Sequence, residues 1–266
     1  MTKKFSLILS FIFVSVAAVA QKKVLFVMSA ASELPLKKDK VYKETGVFLS
    51  EFYLVYKAIA ELGYEIDFAT PDGIKSPIDK ESLRDSYWGE QSALLPEARD
   101  FVREDKRFNN PYTLEYALEN AGSYTGLVIP GGQGLMSDLF YDRKVSGILK
   151  EFREQGKPIG LVCHAPALIL AIPREENPFI GYTVNSVTGL EECFIETFVM
   201  KGKPANRKIG RQLKKLGLIY RKGKPKANFA LRDRMLITSQ NPYSNKAFTS
   251  LYLEALKEYE LKGSLR

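Results

Sequence analysis

Apolar and polar positions along this chain alternate between two periods, short runs buried on both sides and longer stretches with one apolar face. Lys22 to Met28 is a short apolar run behind a basic edge, the pattern of a strand covered on both faces. A polar, lysine-rich loop follows through Tyr42. Phe48, Phe52, Val55, Ile59 and Leu62 then recur at helical spacing up to Gly63, and Tyr64 to Thr70 reads as a second strand closed by the turn Pro71-Asp72-Gly73. Together these make a βαβ unit. Residues 74–122 are polar, carry Pro77, Pro96 and Pro111, and break the alternation; they read as a mostly helical insertion over the sheet edge or the mouth of a site.

The alternation resumes with a strand at Leu127 to Ile129 running into Pro130-Gly131-Gly132, a helix over Val145 to Phe152, and a strand over Pro158 to Val162 that ends at Cys163. The C-terminal part adds a strand around Tyr182 to Val187, a basic helix near Lys208 to Leu216 and a hairpin-like pair flanking Arg232-Asp233. A last helix has Asn241 as its N-cap and Pro242 in its first turn. Strands alternating with helices predict an α/β fold: a doubly wound, mostly parallel sheet with a helical insertion at about 74–122, whose sites lie at the carboxyl ends of the strands.

Composition changes this picture at the N-terminus. With 45% hydrophobic and 26% charged residues the chain falls in the range of ordinary globular proteins. Residues 1–20, however, combine a basic start (Lys3, Lys4), an apolar run from Phe5 to Val16 and a small-residue signal at Ala18-Val19-Ala20. They read as a secretory signal peptide, giving an exported, periplasmic or secreted mature domain from Gln21 with no stable membrane insertion after cleavage. Export bears on the two cysteines, Cys163 and Cys193, which could pair; the simpler reading of Cys193 is a small buried hydrophobe. The net charge of +8 is concentrated in Lys201 to Lys226, which holds eleven Lys and Arg and no acid. With Tyr220 its one aromatic and no nucleic-acid motif, that segment reads as a solvated face, and no nucleic-acid partner is expected.

The chemistry gathers at Gly160-Leu161-Val162-Cys163-His164-Ala165-Pro166-Ala167, a strand, a tight turn and a helix start in one octapeptide. It is a nucleophile elbow in context, with a thiol in place of a hydroxyl. Free N–H groups of the following helix should stabilise negative charge and lower the thiol pKa. The competing reading is a small buried residue before a core helix. His164 is the chain's single histidine, so multi-histidine metal sites are excluded, and beside the thiol it suits a catalytic or orienting role. Glu51 falls three residues after Phe48 and four before Val55, on the helix face that should be buried. Desolvation there favours the protonated carboxyl, suited to acid–base work, unless the side chain escapes along the edge of the stripe. Gly131 and Gly132 let backbone N–H groups approach a ligand closely, as an oxyanion hole requires.

These segments, with Thr45 to Glu51, Asp67 to Gly73, Val128 to Gly132 and Leu236 to Pro242, resemble the DJ/PfpI superfamily, in particular the heat-shock-chaperone branch that includes glutathione-independent glyoxalases (glyoxalase III). The resemblance covers most of the mature chain and implies a flavodoxin-like, class I glutamine amidotransferase-like fold. It carries a site over to Cys163, His164, Glu51 and a downstream acid, Glu192, with Glu191 adjoining it, expected to hold the imidazole in one tautomer. The family's usual histidine after the paired glycines is Gln133 here, and the metal site of some chaperone members cannot form. No cofactor or metal is implied.

The activity implied is a lyase that converts a 2-oxoaldehyde such as methylglyoxal to a 2-hydroxy acid, with a small-molecule aldehyde as partner and a homodimer as a candidate assembly. The alternatives are a holding chaperone with an incidental thiol, and a cysteine hydrolase or protein deglycase. Glutamine amidotransfer is disfavoured because no histidine lies downstream of His164.

Overall fold

The computed structural model describes residues 22–42 and 44–264, and the expected signal peptide lies outside them. Seven strands form the main sheet: β1 (Lys23–Val27), β2 (Glu65–Thr70), β3 (Tyr112–Thr113), β4 (Gly126–Ile129), β5 (Ile159–Val162), β6 (Ala230–Asp233) and β7 (Leu236–Ser239). Their spatial order is β6-β7-β5-β4-β1-β2-β3. All pairs are parallel except β6 with β7, a hairpin that turns at Arg234-Met235 and caps one edge. Val24, Leu25, Phe26 and Val27 are all fully buried, which is why β1 is a continuous apolar run rather than an alternating one.

The chain runs outward from β1 to β3, then returns to the other side of β1 for β4. That reversal is the topological switch point where ligands of such sheets bind. Helix α1 (Leu49–Ala60) connects β1 to β2 and packs against the C-terminal helix Asn245–Ser264. The helix Arg143–Glu154 connects β4 to β5 and packs on the Leu114–Glu119 helix. Beneath α1 the rings of Phe26, Phe52, Phe68 and Phe108 contact one another at 5.3 to 6.1 Å between centroids, which fixes the helix against β1 and β2.

Several local expectations are corrected. The insertion contains the helices Leu95–Glu104, Lys106–Asn109 and Leu114–Glu119, but it also contributes edge strand β3, too short to carry a pattern. The lysine-rich loop after β1 holds a small hairpin, Leu34–Leu36 with Lys40–Tyr42. The strand expected over Tyr182 to Val187 shrinks to Thr183–Val184 and pairs with Ile219–Tyr220 outside the main sheet. Asn241 does not cap the last helix through its side chain: Pro242–Ser244 forms a 3-10 turn first, and Asn241 Nδ2 donates to Glu191 Oε1 instead.

Candidate active site

β5 ends at Val162, and the next residue turns sharply: Cys163 has φ 58°, a left-handed conformation uncommon for a residue with a Cβ. The turn is held on both sides, by Cys163 N–H to Ser239 O at 2.9 Å and by Val187 N–H to Cys163 O at 2.9 Å. Since Ser239 ends β7, the neighbouring strand itself fixes the elbow.

The elbow leads into a seven-residue 3-10 helix, Ala165–Ala171, rather than a long α-helix, so little dipole faces the sulfur. Burial pushes the Cys163 thiol well above its usual range, and the nearby Glu51 carboxyl adds to the rise. The expectation of a lowered thiol pKa is thereby corrected. The His164 backbone N–H bonded to the sulfur opposes the shift without reversing it.

Glu51 sits on the first turn of α1 and is fully buried. Phe48 N–H donates to Gly131 O at 3.0 Å, Val47 N–H to Pro77 O at 2.9 Å, and Asp79 N–H to Val47 O at 3.0 Å. The start of α1 is thus clamped from two sides, which aims Glu51 at the elbow. Neither carboxyl oxygen has a hydrogen-bond partner among the described residues. The carboxyl lies beside Cys163, since a single Cβ on Gly131 would meet both Glu51 Oε2 and Cys163 Cβ. Burial, aided by the charge of Asp79, raises its pKa to about 8, so Glu51 is mainly protonated at neutral pH beside the cysteine.

His164 Nδ1 lies 3.2 Å from Cys163 Sγ, and its other ring nitrogen, Nε2, lies 2.8 Å from Gln133 Nε2. Burial lowers the imidazole pKa to about 4, so the ring is neutral over the physiological range. A glutamine supports it differently from a carboxylate. Its amide can present NH2 or, after a half-turn, oxygen; with oxygen inward the imidazole carries its proton on Nε2 and leaves Nδ1 to accept one from the thiol.

Gly131 and Gly132 follow β4, the strand beside β5. A Cβ on Gly131 would lie 2.2 Å from Glu51 Oε2 and 2.8 Å from Cys163 Cβ, so only glycine leaves room for the carboxyl beside the cysteine. Gly132 has φ 123° and borders a cavity of about 930 Å³ together with Gln133, Cys163 and His164. No backbone carbonyl of the described residues accepts from the N–H groups of Gly132 or His164. Glu51 is not exposed to this cavity; it lies behind the cysteine.

A buried thiol at a strained strand end, with a protonated carboxyl behind it and a neutral imidazole beside it, opens onto solvent-accessible space. The family model described as "DJ-1/PfpI family" matches residues 40–174, the stretch that contains Glu51, Gly131, Gly132, Cys163 and His164. The chain belongs to the DJ-1/PfpI family. Among curated relatives it is 28% identical over 245 residues to the protein/nucleic acid deglycase HchA of Pseudomonas aeruginosa, covering 89% of this chain and 81% of that one. It is 25% identical over 232 residues to the glutathione-independent glyoxalase hsp3102 of Schizosaccharomyces pombe, covering 80% and 90%. The glyoxalase III structure from Candida albicans superposes with TM-score 0.70 at 21% identity, over 89% of this chain and 98% of that one, which establishes the shared fold.

Within this DJ-1/PfpI site one expected member is misplaced. Glu192 does not reach His164: its Oε1 accepts from Ile209 N–H at 3.3 Å, and burial raises its pKa to about 7. The reason is helical phase. Thr188 caps the helix Gly189–Phe194 and Glu191 closes the capping box, so that Glu191 turns toward the cavity while Glu192 turns toward the Lys208–Ile209 backbone. Glu191 is itself occupied, accepting from Asn241 Nδ2 and Lys226 N–H. Cys193, expected buried, is exposed, and both cysteines are free thiols. Two residues escape a reading of the sequence. Gln133 stands out there only as a departure from the family pattern, and Asp79, buried with a pKa raised to about 7, gives no periodic signal because it lies in the irregular insertion.

Proposed function

We propose that this DJ-1/PfpI protein converts 2-oxoaldehydes to 2-hydroxy acids without glutathione, using Cys163 as the nucleophile. The observation that carries the reading is the Cys163 sulfur lying 3.2 Å from the neutral His164 ring, with the fully buried carboxyl of Glu51 beside the cysteine. The glyoxalase and deglycase relatives support the same class of carbonyl chemistry.

The resting thiol is neutral, so the nucleophile forms as it attacks. His164 Nδ1 takes the thiol proton while sulfur adds to the aldehyde carbon, and the N–H groups of Gly132 and His164 receive the developing oxyanion. Returning that proton gives a neutral hemithioacetal. His164, which borders the cavity where Glu51 does not, removes the remaining C–H proton, and the electron pair moves to the neighbouring carbonyl, giving an enediolate. His164 returns its proton to the adjacent carbon while the hemithioacetal hydroxyl proton passes to the neighbouring oxygen, which yields a 2-hydroxy thioester. Water then cleaves the C–S bond, releasing the acid, and the sulfur recovers its proton beside Glu51. The aldehyde carbon is oxidised and its neighbour reduced, so no external redox partner is needed.

The test is hydroxy-acid formation from methylglyoxal without glutathione, in the native protein and in Cys163→Ala. The reading expects loss of at least about 10³-fold in the variant. Full turnover by Cys163→Ala would overturn it, and amine release from methylglyoxal-modified lysine, with no acid from the free aldehyde, would put deglycation in its place.

A further inference from the structure

Methylglyoxal has five heavy atoms, whereas the cavity over Cys163 measures about 930 Å³, at the upper end of sites that hold drug-sized ligands. Its walls are aromatic. Phe48 and Tyr87 pack edge to face at 5.0 Å between centroids, and Tyr87 continues to Tyr243 at 5.8 Å. A second apolar group comes from the segment after the capping box, where Leu190, Phe194 and Phe198 border the cavity and remain 67%, 56% and 67% exposed. Leu190 to Phe194 is α-helical and Ile195 to Val199 is a π-turn, a geometry frequent at functional sites. Large apolar side chains left open at a cavity mouth are waiting for an apolar surface.

The charges of the cavity are distributed unevenly. Among its carboxylates Glu44 is paired with Lys80, Glu81 with Arg84 and the Tyr87 hydroxyl, and Glu191 with Asn241 and the Lys226 backbone; Asp79 is buried and caps the following 3-10 turn. Lys201 and Lys226 also border the cavity, and neither forms an ion pair with a described residue. Lys226 has φ 61° and holds its Nζ 5.8 Å from the Tyr243 ring centroid, at the end of the aromatic wall.

We infer that the preferred substrate is a 2-oxoaldehyde bearing a large, aromatic-type substituent with an anionic group at its far end. The aldehyde meets Cys163, the apolar body lies among Tyr87, Tyr243, Phe194 and Phe198, and the anion is received at Lys226. This deepens the reading of the site as a 2-oxoaldehyde centre and rests on it for turnover, but the recognition it describes can be measured without chemistry.

The experiment compares methylglyoxal, phenylglyoxal and para-carboxyphenylglyoxal. With the native protein, kcat/KM should rise about 10-fold from the first to the second, the worth of one well-packed ring. A further rise of roughly 3-fold to the third should be visible at low salt. Lys226→Gln should bring the two aryl substrates level, and the double variant Phe194→Ser, Phe198→Ser should bring phenylglyoxal down toward methylglyoxal. All three replaced side chains are exposed, so these variants fold as the native chain does. In parallel, calorimetric titration of Cys163→Ala with the same three aldehydes should give the same order of affinity. Equal kcat/KM values, or a ranking indifferent to the variants, would overturn the inference while leaving the proposed reaction standing. If no aldehyde is turned over, the reaction fails and the titration alone decides: the same ranking of affinities upholds the pocket, and a flat ranking overturns it.

Discussion

Gln133 Nε2 stands 2.8 Å from His164 Nε2, so the imidazole leans on an uncharged amide rather than on a carboxylate. Among the described residues no charged side chain is hydrogen-bonded to the ring, which agrees with the low histidine pKa. It also separates this site from triads in which an acid holds the ring and shares its positive charge.

Replacing that partner should therefore change the pH profile as well as the rate. Gln133→Ala is expected to lose roughly 10²-fold in kcat through misorientation of the ring. Gln133→Glu should move the acid limb of the kcat profile upward from its native position near 4, because a carboxylate favours the protonated imidazole. An unmoved limb would mean that the contact does not govern His164.

Native activity should follow a broad bell. His164 must be neutral to accept a proton, which sets the acid limb near pH 4, and Glu51 must keep its proton, which sets the alkaline limb near pH 8. Steady-state rates between pH 3.5 and 9.5 on a stable substrate check both, and Glu51→Gln should abolish the alkaline limb along with most of the activity.

The same carboxyl has a sign-definite effect on stability. Its folded pKa of about 8 lies above the ordinary 4.5, so the folded state holds a proton that the unfolded chain releases. Stability is therefore greatest, as far as Glu51 is concerned, below pH 4.5 and declines as pH rises toward 8. Glu51→Gln removes the decline and should be the more stable protein at pH 8, by up to roughly 4 kcal/mol at about 1.4 kcal/mol per pKa unit. Urea unfolding of both forms at pH 5 and pH 8 measures it: the gap between them should widen with pH.

Gly131→Ala should be severe, since its methyl group would lie 2.2 Å from the Glu51 carboxyl. Expected are a loss of about 10²-fold in kcat/KM from displaced catalytic groups and a destabilisation of about 1–3 kcal/mol from overpacking. Gly122→Ala, where a Cβ meets nothing within 4 Å, is the matched control and should leave both quantities unchanged.

Glu192→Gln should keep kcat within about 3-fold of native, because its carboxyl binds the Ile209 backbone rather than the imidazole. A loss comparable to that of Gln133→Ala would return Glu192 to the catalytic group.

The parts of the fold that are legible in the sequence are those whose burial leaves a period in it. β1, α1, β4 and β5 are covered by apolar neighbours, and the position of Glu51 on the inner face of α1 follows from the spacing of Phe48 and Val55. The illegible parts depend on contacts between distant segments. β3 has two residues and exists because β2 offers it an edge. The phase of the Thr188 capping box decides which of two adjacent glutamates faces the cavity, and no one-residue shift of that kind is visible in a pattern. Gln133 replaces an expected histidine, and only its distance from His164 shows what it does. The direction of the thiol pKa shift is hidden because the sequence shows a helix start but not that the helix is short and the sulfur enclosed.

The bend at Cys163 is anchored by the ends of β5 and β7 and by Val187, not by a loop free to relax by itself. Cys163 thus has no local melting of its own: its geometry persists while the central sheet persists and vanishes with it. On heating, catalytic capacity and tertiary structure should disappear in one step, which makes turnover a faithful gauge of the folded fraction.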